Sequence, residues 1–135
     1  MRVLLLGGAG RFGLFTARRL IASDIVSEVA IAGRNQDALT PATSELGEKA
    51  RVVQVDIHDE RRLASVAADY DIIVNVAGPE WEVLLSALRT AIASRPAYLS
   101  YVFWPESLLR SVRSPTGRSE PCASANVARV SVQSW

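Results

Sequence analysis

Apolar and polar positions follow two different periods along the first part of the chain, and the switches between them divide it into segments. Residues 3–6 carry no polar side chain, the pattern of a parallel strand covered on both faces. The run breaks into Gly7-Gly8-Ala9-Gly10-Arg11-Phe12-Gly13. Beyond it Phe12, Phe15, Leu20 and Ile21 fall near one helical face, with Arg11, Arg18 and Arg19 largely off it, so the spacing predicts a helix to about residues 23–24. A second strand is expected over 28–32, stopped by Gly33-Arg34-Asn35. A helix over 36–46 comes next, with Ala38, Leu39, Ala42 and Leu46 on its buried side, Gly47 as its stop and Pro41 as a local weakness.

The same alternation continues. Residues 51–56 read as a third strand, and 59–69 as a helix whose acidic first turn suits the positive end of its dipole. Residues 70–77 read as a fourth strand closed by Gly78-Pro79, after which Trp81, Leu84, Leu85, Leu88 and Ile92 mark a fourth helix at spacings of three and four. Strand and helix alternate four times. Right-handed crossovers then give an α/β fold, a doubly wound parallel sheet with helices on both faces. In such a sheet ligands bind beyond the carboxyl ends of the strands, where the winding reverses. The glycine loop, Gly33-Arg34-Asn35, Asp56-Ile57 and Asn75-Val76-Ala77-Gly78-Pro79 all fall there.

Composition narrows the partners. The 135 residues are 49% hydrophobic and 21% charged, ordinary for one globular domain, and a net charge of +1 gives no basic field for nucleic acid. No stretch approaches the roughly 18 apolar residues of a membrane span, and the first apolar run is too short for a signal peptide. The single cysteine, Cys122, leaves no internal disulfide and fits a reducing cytoplasm. His58, the only histidine, cannot build a metal site alone, so no metal is expected.

The candidate chemistry lies in the loops. Within Gly8-Ala9-Gly10-Arg11-Phe12-Gly13, Gly8 is expected to permit the tight bend, Gly10 to let backbone approach a pyrophosphate, and Gly13 to let the helix lie close to the strand. The helix start then favours the anion. An acidic side chain about 20 residues on would read the ribose hydroxyls of NAD, yet here that neighbourhood holds Gly33-Arg34. A guanidinium pairs bidentately with a 2′-phosphate instead, so NADP is expected over NAD. Arg11 offers a second positive charge. Asp56 suits either of two roles, accepting from an adenine amino group or capping the helix that starts near Asp59.

Taken together, residues 7–13, 32–35, 55–56 and 74–79 resemble the NADP-binding domain of the saccharopine dehydrogenase-like proteins, whose relatives include the trans-acting enoyl reductases. The resemblance covers about residues 1–94. It implies a Rossmann-type domain, a nicotinamide cofactor and an oxidoreductase context. It places the pyrophosphate on Gly8, Gly10 and Gly13, the 2′-phosphate at Arg34 beside Gly33 and Asn35, and the nicotinamide side near Ala77, Gly78 and Pro79. With Ala9, Arg11, Phe12, Asp56 and Ile57 these make up the expected cofactor contacts. A short-chain reductase has a similar Asn-x-Ala-Gly stretch but needs a tyrosine four residues before a lysine, and Lys49, the only lysine, has none. No catalytic residue is identified.

From about residue 95 the character changes. Five arginines against Glu106 and Glu120 give residues 95–135 a charge of +3, leaving −2 on residues 1–94. Residues 97–104 allow a fifth strand, but Pro105, Pro115 and Pro121 interrupt any regular element beyond it, and 105–135 is expected to be an irregular tail. Its arginine, serine, proline and alanine bias is compatible with a frameshift in a GC-rich gene and equally with a genuine extension. The resembling family would continue into a substrate or dimerisation domain, and the apolar surface such a domain covers would be open to a homodimer.

Overall fold

The burial of the first strand decides the architecture. A computed structural model describes residues 1–100 of the chain, apart from the side chains of residues 80 and 81. Strand β1, Arg2–Leu6, has Val3, Leu4, Leu5 and Leu6 fully buried, as an all-apolar run demands. It is followed by α1 (Arg11–Ile21), β2 (Glu28–Gly33), α2 (Gln36–Ser44), β3 (Ala50–Gln54), α3 (Glu60–Ala67), β4 (Ile72–Asn75), α4 (Glu80–Ser94) and β5 (Ala97–Ser100). The parallel sheet has the order β3-β2-β1-β4-β5.

The chain winds outward from β1 to β3, then crosses back over the sheet to β4 on the other side of β1. Leu4 and Leu6 point to a core closed by Leu63 of α3 and by Val83 and Ala87 of α4. Val3 and Leu5 point to the opposite core, closed by Ala17 of α1 and Leu39 of α2. Alternate residues of one strand therefore anchor both layers. The reversal lies between β1 and β4, so the crevice opens beyond Leu6 and Asn75, which are paired in register.

Several sequence expectations need correction. Phe12 and Phe15 do not face the core; they are 69% and 62% exposed, and the buried stripe of α1 is Gly13 and Ala17 flanked by Leu14, Leu20 and Ile21. The physical reason is close approach: a Cβ on Gly13 would lie 2.5 Å from the Gly8 Cα, so only the face with the smallest residues meets the sheet. Ala38 is exposed, while Leu39, Ala42 and Leu46 are buried as expected. Ile92 is 57% exposed, and α4 turns Val83, Ala87, Thr90 and Ala91 inward. The strands β3 and β4 end two residues earlier than expected, where their loops turn into the crevice. Residues 101–104 of the expected fifth strand, the tail at 105–135 and Cys122 lie outside the described residues. No helix among the described residues is long and apolar enough to cross a membrane.

Candidate functional site

The four loops at the carboxyl ends of β1 to β4 enclose a cleft of about 370 Å³, within the usual size of a small-molecule site. Its first wall is the glycine loop. Gly7, not Gly8, makes the bend, with φ +77°, a conformation a side chain resists, and a Cβ there would lie 2.6 Å from the Ala77 Cα. The Gly7 N–H donates to the Ala32 carbonyl at 3.0 Å, and the Gly7 carbonyl accepts from Gly10 N–H at 3.1 Å. Gly10 caps α1 without any side-chain hydrogen bond. Gly8 is tight for another reason: a Cβ would meet Ile31 Cγ2 at 2.7 Å. A Cβ on Gly10 would meet, among the described residues, only the Gly7 carbonyl at 3.3 Å, so the open side of Gly10 faces the cleft.

The second wall follows β2. Gly33, Arg34 and Asn35 line the cleft, with Leu39 behind them. The Asn35 side-chain oxygen accepts from Asp37 N–H at 2.9 Å and so caps α2. The Arg34 carbonyl accepts from Gln54 Nε2 at 3.1 Å, while the Arg34 guanidinium has no hydrogen bond or ion pair among the described residues. An exposed cation held at a cleft rim and left unpaired is available to an anion.

The third and fourth loops complete the enclosure. Asp56 and Ile57 line the cleft together with His58. Asp56 Oδ1 accepts from His58 N–H at 2.9 Å, closing its own turn, whereas Asp59 Oδ1 accepts from Arg62 N–H at 3.1 Å and caps α3. Of the two roles open to Asp56, capping therefore belongs to Asp59. After β4, Val76, Ala77, Gly78 and Pro79 form the facing rim, joined by Glu82 and Val83 from the start of α4. The Asn75 side chain, 2% exposed, accepts from Ala77 N–H at 3.1 Å and donates to the Tyr98 hydroxyl at 3.1 Å. Burial pushes the Tyr98 phenol above its ordinary value, and the neighbouring Ser100 and Asn75 side chains partly offset that.

Ala9, Gly10, Gly33, Arg34, Asn35, Asp56, Ile57, Ala77, Gly78 and Pro79 thus meet at one cleft. Gly8, Arg11, Phe12 and Gly13 do not line it: Gly8 and Gly13 pack beneath it, and Arg11 and Phe12 are exposed on α1. Glu82 was missed by sequence reasoning and no local pattern marks it; Gly7 and Asn75 lie in stretches the sequence singles out, but the bend at Gly7 and the hold of Asn75 on Ala77 N–H come only from the structure. Lys49 is remote, its Nζ donating to the Ile21 and Ser23 carbonyls at the far end of α1. Among the described residues no cluster of three or more His, Cys, Asp or Glu side chains could hold a metal.

Comparison with known proteins bears on this geometry. The sequence profile described as the saccharopine dehydrogenase NADP binding domain matches residues 3–130. An NADP-dependent 3-hydroxy acid dehydrogenase of Shigella flexneri is 36% identical over 85 residues, covering 58% of this chain and 34% of that protein. The chain thus spans about a third of the curated relative it matches. The apo structure of the L-glutamate-forming saccharopine dehydrogenase of Saccharomyces cerevisiae superposes with a TM-score of 0.70 at 21% identity, over 81% of this chain and 23% of that one. Serine dehydrogenase of Escherichia coli gives 0.60 at 22% identity, over 74% and 61%. These structural likenesses establish the Rossmann-type fold.

Proposed function

The chain belongs to the family of the saccharopine dehydrogenase NADP-binding domain, and from that premise we propose that it holds NADP(H) in the cleft between β1 and β4 as the cofactor-binding part of an oxidoreductase. The observation that carries this reading is the unpaired Arg34 guanidinium at the rim reached by β2, in a cleft walled by the glycine loop. The pyrophosphate lies against the backbone of Ala9 and Gly10, over the start of α1, with Gly8 and Gly13 packed beneath as the support that lets the helix start come close. Arg34 takes the adenosine 2′-phosphate, with Gly33 and Asn35 shaping its approach; Gln54 holds the Arg34 backbone while the side chain stays available. Asp56 and Ile57 border the adenine side. Ala77, Gly78 and Pro79 border the nicotinamide side.

A bound nicotinamide supplies hydride chemistry. What this chain contributes is position and charge: an arginine where an acidic residue would select NAD, and glycine backbone where a phosphate needs close approach. The reducing cytoplasm is the compartment consistent with one cysteine in the whole chain. Turnover requires groups that hold a substrate against the cofactor, and among the described residues no hydrogen bond between side chains and no ion pair joins Asp56, His58 and Glu82, the acid and base groups at the cleft.

Fluorescence titration of the full chain with NADPH and NADH tests the reading. NADPH should bind more tightly, and Arg34→Ala should remove most of that preference, a loss of about tenfold or more for one charge-assisted pair. Equal affinities for the two cofactors, unchanged by Arg34→Ala, would overturn it. Oxidation of NADPH by candidate carbonyl or imine substrates separates an enzyme from a binding module.

A further inference from the structure

A polar contact between buried side chains of β4 and β5 lies directly behind the cleft. Asn75 and Tyr98 are 2% and 4% exposed, and their side chains meet at 3.1 Å across two strands. Asn75 then reaches forward, accepting from the N–H of Ala77 at 3.1 Å, while Val76 N–H donates to the Leu6 carbonyl at 3.0 Å. Ala77 in turn is the residue that Gly7 packs against, so closely that a Cβ on Gly7 would lie 2.6 Å from the Ala77 Cα. Gly7 carries the carbonyl that fixes Gly10, and Gly10 opens α1. A continuous chain of contacts runs from β5 through the β4 turn to the glycine loop.

We propose that the Tyr98 hydroxyl is a positioning group for the nucleotide cleft, holding the Asn75 carboxamide so that the Ala77 turn and the glycine loop keep their binding geometry. The proposal rests on the NADP reading for its consequence but not for its mechanism, which is internal to the chain. A carboxamide can present either oxygen or nitrogen to a given neighbour. Ala77 N–H needs the oxygen, and the Tyr98 hydroxyl takes the Nδ2 hydrogen on the other side, so both ends of the amide are specified. A tyrosine phenol is protonated at neutral pH, and burial only pushes this one further upward, so the hydroxyl satisfies Nδ2 without placing a charge in the core. Removing the hydroxyl leaves a buried N–H unmatched. The turn then samples other arrangements, and the apparent affinity of the cleft falls by the fraction of time it is competent.

Tyr98→Phe in the full chain keeps the ring and removes only the oxygen. Amide hydrogen exchange at Ala77, without nucleotide, should accelerate roughly three- to tenfold, and NADPH affinity should fall by a similar factor, the scale of one buried hydrogen bond. Unchanged Ala77 exchange overturns the proposal, whatever the nucleotide does. Faster Ala77 exchange in a chain whose wild type binds no NADPH upholds the brace and refutes the cofactor reading. Lys49→Met, which unseats α1 at the far end, provides the structural control: it should lower the melting temperature and leave both readouts alone. Equal weakening of NADPH by Lys49→Met overturns the proposal, because general loosening would then suffice. Asn75→Ser offers an oxygen to Ala77 but no N–H to Tyr98. In that background Tyr98→Phe should change nothing more, and additive losses would also overturn it.

Discussion

Two glycines three residues apart should fail in opposite ways when each receives one methyl group. At Gly13 the new Cβ would overlap the Gly7 carbonyl and lie 2.5 Å from the Gly8 Cα and 2.6 Å from the Gly8 carbonyl carbon. All three are main-chain atoms, and none can swing aside. Ordinary contact begins at 3.4 Å, so α1 must lift from the loop by about 1 Å, which unseats Ala17 and the flanking Leu14 and Leu20 from their core. Overpacking of this kind costs about 1–3 kcal/mol. For a domain near 100 residues that lowers the melting temperature by roughly 5–20 °C. At Gly10 the Cβ would meet only the Gly7 carbonyl at 3.3 Å, with backbone angles of −76° and 168° that any residue adopts. Gly10→Ala should therefore cost less than about 1 kcal/mol, mostly as a poorer helix cap. Its methyl group would instead point into the space proposed for the pyrophosphate. The assay is urea denaturation beside NADPH titration for both variants. Gly13→Ala should lose stability, while Gly10→Ala should lose affinity at least tenfold with stability nearly kept. Equal destabilisation, or full NADPH affinity in Gly10→Ala, would refute the assigned division of labour.

Burial and charge set the remaining expectations. Leu5→Ala empties a fully buried position between α1, α2 and the sheet, and should cost about 2–5 kcal/mol, read as a lower urea midpoint with an unchanged slope. Alkaline pH should weaken the fold. Tyr98 has its value raised by burial, so its contribution is fully present below the ordinary tyrosine value of about 10 and is lost as pH rises above it. Urea midpoints measured from pH 8 upward should fall beyond that point, and Tyr98→Phe should flatten part of the decline; an unchanged pH profile in that variant would contradict the burial.

How much of the site was legible in the sequence differs from residue to residue. The place of Arg34 at the cleft was legible because it follows β2 directly, and the end of a parallel strand carries its loop to the crevice. The faces of α1 were misread because Phe12 and Phe15 outweigh Gly13 and Ala17 in any count of apolar residues. Helix placement here obeys steric clearance before hydrophobicity, since Gly7 and Gly8 bring their backbone within contact of Gly13. Asp56 kept two roles open until its oxygen was found on His58 N–H and the capping role on Asp59.

The sequence by itself determined the alternation of strand and helix, the glycine loop at the first turn and the positive rim at the second. Those are properties of runs of a few residues, set by side-chain period, by the conformational freedom of glycine and by formal charge. Only the tertiary structure decided that the strands lie in the order β3-β2-β1-β4-β5, that Gly7 makes the bend, and that Tyr98 stands behind Asn75. Each of these depends on groups far apart in the chain. Gly7 meets Ala77 and Asn75 meets Tyr98 only after β1, β4 and β5 are laid side by side, and no local pattern encodes a contact that the crossovers create.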